Sequence, residues 1–296
     1  MSARAPSAAA LLDAWLAARL TEEARSWLGR QIARAVEGVS PSLFTAFSSA
    51  ARRLGRSPLN LDPEERVAAD RARPGWQPGT WSAEQAARAR LVLALPPAPA
   101  EVFLRTLGQL FEDADLGESV ALYQALPLLP HPERLVARAA EGVRSNMAPV
   151  FEAVALGNPY PAEWLAEDAF NQLVLKCLFV GSPLYRVYGL DRRAGPALAQ
   201  MLVDYARERW AASRAVSPEL WRCVAPGVPE AGAGDLRAAL SQALSTGSAA
   251  ERQGAALACW QHPLTRPLLY PHPELSGLAS RGELDWATLG ARWSLP

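Results

Sequence analysis

Apolar residues recur every three or four positions along almost all of this 296-residue chain, and the two-residue alternation of a strand is nearly absent. That pattern restricts the fold to helices that each bury one side against another helix. Twenty-five prolines punctuate it and set where helices stop. Leu11, Leu12, Trp15, Leu16 and Leu20 line one predicted helix, and Trp27, Leu28, Ile32 and Val36 the next. Two more charged helices are predicted near 40–54 and 62–72. Beyond Arg73-Pro-Gly-Trp-Gln-Pro-Gly-Thr80, helices are predicted near 82–94, 98–112, 117–127, 132–145, 147–156, 163–180, 196–214, 234–246 and 248–261. The turn Asn158-Pro-Tyr-Pro161 is expected to start the helix at 163–180, and residues 224–234 to form a longer, mobile connection. Short connections between alanine-rich helices point to antiparallel pairs stacked as an α-solenoid. The best internal match pairs Pro127-Leu-Leu-Pro-His-Pro-Glu133 with Pro267-Leu-Leu-Tyr-Pro-His-Pro-Glu274, without a fixed period. The expected fold is therefore all-α and HEAT-like rather than a regular array. Its expected division is an N-terminal helical subdomain over 1–76, a solenoid core over 77–262 and a tail over 263–296 packing on or near that core.

Charge and cysteine usage narrow the function classes. Acidic and basic residues balance at thirty each, so the chain shows no overall electrostatic footprint for nucleic acid or an anionic membrane. Cys177, Cys223 and Cys259 lie far apart with no CxxC pair, which argues against a disulfide framework and a structural zinc site. His131, His262 and His272 each stand directly before a proline. Proline suits the first helical position, so all three read as helix-start punctuation rather than metal ligands. Asp13 and Arg19 interrupt the apolar stretch at 8–20, unlike the core of a signal sequence. No run approaches the roughly twenty apolar residues of a membrane span. A cytoplasmic protein is expected.

There is no Gly-rich phosphate loop, GxSxG elbow or HExxH pair, and no cofactor or metal is expected. What remains is a polar constellation around Lys176, the only lysine among thirty basic residues. It stands in the most apolar helical run, Leu173-Val-Leu-Lys-Cys-Leu-Phe-Val180. A compact ammonium retained where every other base is arginine suggests a position that needs a point charge. Asp168, Gln172 and Lys176 are four apart, and Asn171 lies three beyond Asp168, so they are neighbours on a helix. The four are expected either to line a pocket between helices or to lock a helical stack. Asn146, Asn158, Tyr160, Arg192, Arg209 and Arg214 are further candidates to meet a ligand. Asp204 and Glu208, four apart, repel unless a cation such as Lys176 or Arg192 sits between them; the alternative is an ordinary solvated face.

These residues also carry a resemblance. The runs Asn158-Pro-Tyr-Pro161, Phe170-Asn-Gln-Leu-Val-Leu-Lys176 and Tyr188-Gly-Leu-Asp-Arg192 look like the core signature of the EboA family. Asp204-Tyr-Ala-Arg-Glu-Arg-Trp-Ala-Ala-Ser-Arg214 and Pro218-Glu-Leu-Trp-Arg222 continue it in order. The resemblance covers about residues 100–225; the first 80 residues and the tail after 262 match only in helical character. Two departures stand out: Gly195 where an asparagine is expected, and Arg207 where a histidine is frequent. The resemblance implies a bacterial protein of metabolite traffic, including export of secondary-metabolite precursors to the periplasm. It implies as neighbours a prenyltransferase, a TIM-barrel isomerase-like enzyme, a dehydroquinate-synthase homologue and hydrolase-like enzymes, and as ligand an anionic or lipid-linked metabolite.

Three readings follow. The first is a non-catalytic metabolite-binding or scaffold protein, in which Lys176, Arg192, Arg209 and Arg214 engage anionic groups. The second is an enzyme that uses a desolvated Lys176 as base or Schiff-base nucleophile, with Asp168, Asp204 or Glu208 as proton partner. The third is architectural, the polar set serving only to register helices.

Overall fold

Seven of the described helices begin where a short polar side chain can accept from the first free amides. Ser7, Thr21, Asp62, Ser82, Asp115, Ser248 and Asp285 all cap in this way. Asp62, Ser82 and Asp115 complete capping boxes with Glu65, Gln85 and Glu118. The computed structural model describes residues 6–38, 41–228 and 234–293. Among the described residues the fold is all-α, with no strand beyond one isolated bridge between Pro58 and Ser82. Two compact units divide the chain, Met1–Leu165 and Ala166–Pro296.

The N-terminal unit holds α1 (Ala8–Arg19), α2 (Glu22–Glu37), α3 (Pro41–Leu54), α4 (Pro63–Ala72), α5 (Ala83–Leu93), α6 (Ala100–Glu112), α7 (Leu116–Ala125), α8 (Val136–Arg144), α9 (Ala148–Ala155) and α10 (Tyr160–Trp164). Helices α1, α5, α7 and α9 pack in a row, with α2 and α3 against α5 and α8 against α9. The turn at 73–80 lies within this unit and is tightly held. Trp76 is 1% exposed, with Trp15 at 5.6 Å and Trp81 at 5.7 Å between ring centroids. The Arg73 Nε donates to the Pro127 carbonyl at 2.9 Å, and the Gln77 amide to that of Gly157 at 3.0 Å. On α2 the buried side is Ala24, Leu28 and Ala35, and Val36 faces solvent.

The C-terminal unit holds α11 (Glu167–Val180), α12 (Leu190–Arg193), α13 (Pro196–Ala211), α14 (Leu220–Val224), α15 (Gly234–Thr246), α16 (Ala249–Gln261), α17 (Pro273–Ser280) and α18 (Trp286–Arg292). Here α11, α13, α14 and α16 pack in succession, and α15, α17 and α18 rest on α16. Trp210 stacks on Trp221 at 5.7 Å and donates to Glu251 at 3.0 Å. The connection expected at 224–234 continues as a short 3-10 turn, Ala225–Gly227; residues 229–233 lie outside the described residues. His131 and His272 do precede helical turns, but His262 ends α16 instead of starting a helix. All three cysteines are buried, and none is part of a disulfide. No helix among the described residues is long and apolar enough to cross a membrane.

Candidate functional site

The helix expected at 163–180 is two helices. Leu165 (ψ 141°) and Ala166 (ψ 160°) are extended, so the chain leaves α10 and restarts as α11 at Glu167. The Asn158–Pro161 turn therefore starts α10 and not the helix that carries Lys176. Helix α11 is also not buried on all sides. Its inward stripe is Phe170, Asn171, Leu173, Val174, Cys177 and Leu178, a spacing of three and four. Asp168 and Gln172 are exposed and Lys176 is half-buried, whereas Asn171 is 1% exposed. The four polar residues thus do not share one buried face. The sequence looked apolar all round because Phe179 and Val180, 72% and 44% exposed, stand on the outside. Burial of its stem lowers the Lys176 pKa from the ordinary lysine value. The Asn171 side-chain oxygen has no hydrogen-bond partner among the described residues.

A cavity of about 280 Å³ in the C-terminal unit collects the chemistry that sequence reasoning missed. Cys177 and Leu178 of α11, Tyr185, and Ala291 and Trp293 of α18 and its end form its walls. Ser182, Ser217 and Glu219 are among its polar lining residues. Glu219 is 2% exposed, and its carboxylate accepts from the backbone amides of Leu184 (3.0 Å) and Tyr185. Burial pushes its pKa up to about 7, against the pull of those two amides and of Arg222. Gly290 is required beside it, since a Cβ there would stand 2.6 Å from the Glu219 carboxyl and from the Tyr185 ring. Ser217 fixes the turn by accepting from the Glu219 amide at 3.3 Å. Glu219 lies inside the motif run 218–222, but nothing in that run marked it as buried, since its partners lie 35 and 34 residues away in sequence.

Arg222, on the short helix α14 that Glu219 precedes, grips Asp191 through two hydrogen bonds of 2.6 Å. Residues 8–225 match the protein family described as "Metabolite traffic protein EboA". The chain belongs to the EboA family. No curated protein and no solved structure matches it. The match reaches further towards the N-terminus than the resemblance, which began near residue 100, because residues 8–80 carry amphipathic spacing without a distinctive motif.

In this EboA chain the motif runs hold the fold together. The Arg222–Asp191 pair ties the run at 188–192 to that at 218–222. Asn158 is 3% exposed and its side chain is fully used: its nitrogen donates to the Tyr123 and Ala153 carbonyls, and its oxygen accepts from the Tyr160 amide. Tyr160 is wholly buried, its hydroxyl donates to the Pro132 carbonyl at 2.5 Å, and burial raises its pKa. Asn146 is exposed. These three belong to the N-terminal unit and the remaining candidates to the other. Arg192 lies over the Tyr188 ring at 5.6 Å, and Arg214 is exposed. Arg209 donates to the Ala215 carbonyl at 2.9 Å at the end of its own helix. Asp204 and Glu208 are exposed, and the cation beside Asp204 is neither Lys176 nor Arg192. It is Arg207, 3.7 Å away, which also pairs with Asp235. Gly195, the other departure from the family pattern, stands at the α13 N-cap, where it gives no side-chain cap.

Proposed function

We propose that this EboA protein is a non-catalytic metabolite carrier whose C-terminal unit holds a small polar molecule against Glu219. The observation that carries this reading is the cavity itself, in which one buried carboxylate, two serines and an aromatic wall converge. A volume of about 280 Å³ suits a compact ligand, just below the roughly 300–1,000 Å³ usual for ligand pockets. A hydroxyl or ammonium group of the ligand would donate to Glu219, and Trp293 would cover its apolar side. The proposed setting is a bacterial cytoplasm, with the ligand passed between enzymes of an Ebo cluster on its way to export towards the periplasm. The rows formed by α1, α5, α7 and α9 and by α11, α13, α14 and α16 support a HEAT-like solenoid reading of each unit.

Mass spectrometry of protein purified from its own host tests this. A small molecule is expected to accompany the wild type and to be absent from Ala291→Trp, which fills the cavity from an exposed wall position. Equal recovery from both proteins would exclude the cavity as its seat. A ligand-free wild type that brings down a cluster enzyme would favour a scaffold instead.

A second reading rests on Lys176, the only lysine of the chain, which is half-buried on α11 with burial lowering its pKa. On this reading the protein is an enzyme that forms a Schiff base with a carbonyl substrate. Borohydride in the presence of carbonyl intermediates would then leave a mass increment on the wild type and none on Lys176→Met.

A further inference from the structure

A second cavity, in the N-terminal unit, carries the opposite charge. The spacing of three and four along α3 turns Phe44, Thr45, Ser48 and Arg52 to one side. Arg56 follows in the loop, Asp115 stands at the rim, and Arg88 of α5 lies in the floor. The space they enclose is about 790 Å³, large enough for an organic body as well as a charged group.

Arg88 is 2% exposed and committed to the fold. Its Nε donates to the Phe47 carbonyl at 3.0 Å, one amino group bonds Glu84, and the other lies 3.7 Å from Glu118. Arg52 and Arg56 differ: both are exposed, and neither has a carboxylate partner among the described residues. The one acid lining the cavity, Asp115, already accepts from the Glu118 amide at 2.8 Å as the cap of α7. Two uncompensated guanidinium groups therefore face one cavity beside a buried third, and like charges raise the positive potential between them. A dianionic phosphate is the chemistry that relieves this, since each guanidinium can offer it two parallel N–H bonds. The Ser48 hydroxyl, with no bond of its own among the described residues, adds a donor. Phe44 and Ala51 give the organic part an apolar wall.

We propose that this groove is a binding site for a small phosphorylated ligand, clasped by Arg52 and Arg56. The test is calorimetric titration of the full chain with glycerol phosphate at low ionic strength, where exposed charges are least screened. Saturable binding is expected, weaker by about tenfold in Arg52→Gln and in Arg56→Gln and lost in the double variant. Arg53→Gln removes the same charge from the same helix without touching the cavity and is expected to bind like wild type. Vesicles containing phosphatidic acid separate the sources of the phosphate. Retention of wild type but not of the double variant, with glycerol phosphate silent, would keep the phosphate site and assign it a lipid headgroup. An equal loss in Arg53→Gln and Arg52→Gln, or no saturable binding to either probe, would overturn the proposal.

Discussion

A carboxylic acid as deeply buried as Glu219 resists ionisation even with two amides pointing at it. Its pKa of about 7 stands above the ordinary 4.5, so between those values the folded chain keeps a proton that the unfolded chain has released. The associated stability is complete below the lower value and is lost as the pH rises through 7. The loss amounts to about 3 kcal/mol by order of magnitude. Urea unfolding at about pH 5 and about pH 8 is expected to show this decline in wild type and to show it much reduced in Glu219→Gln. Arg88 makes a different prediction. Arg88→Met leaves Glu84 and Glu118 buried without their cation and is expected to cost about 3–5 kcal/mol in the same assay. Adding Glu84→Gln and Glu118→Gln should recover part of that cost. Lys176 was conspicuous in the sequence through composition and through the apolar run that holds it. Glu219 and Arg88 were not, because their burial is created by partners far along the chain, and a Glu–x–x–x–Arg pair on a helix looks like any solvated one.

At the scale of helices, most of the fold was legible. Periodicity and proline placed α1 to α9, α13, α15 and α16 to within a few residues, because each repeats its apolar stripe over two turns or more. What escaped was short or unmarked. Helices α12, α14 and α18 have four to seven residues, too few for a stripe to declare itself, and the eight-residue α17 was also not marked. The break at Leu165–Ala166 contains neither glycine nor proline, and Trp164-Leu-Ala-Glu167 continues a helical pattern across it. Close approach between elements was equally invisible. Gly254 on α16 lies where a Cβ would stand 2.2 Å from the Pro218 carbonyl oxygen, backbone that cannot step aside. Gly254→Ala should force α16 off the segment leading into α14 and lower stability by about 1–3 kcal/mol, measured by thermal or urea unfolding. It should also loosen the Glu219 cavity, since Glu219 adjoins Pro218.

For the molecule as a whole, the family match ends at residue 225, yet the cavity needs residues beyond it. Helix α18 brings Gly290 and Ala291 to Glu219, and α17 and α18 both rest on α16. A chain ending at residue 262 should therefore lose its ligand and also expose the α16 surface that Leu269, Leu275 and Leu289 help to cover. At about 1.5–3 kcal/mol for each buried leucine, the stability loss is expected to be on the order of 5 kcal/mol, visible as fast hydrogen exchange along α16. A ligand that binds only the folded state also leaves a mark on the unfolding temperature of the intact chain. The most direct test compares freshly purified protein with protein unfolded in urea, dialysed and refolded, before and after adding back the small-molecule fraction of the host lysate. The account predicts a lower Tm after refolding, restored by the fraction in wild type and unaffected by it in Ala291→Trp. Equal melting of fresh and refolded wild type, with no response to the fraction, would contradict it.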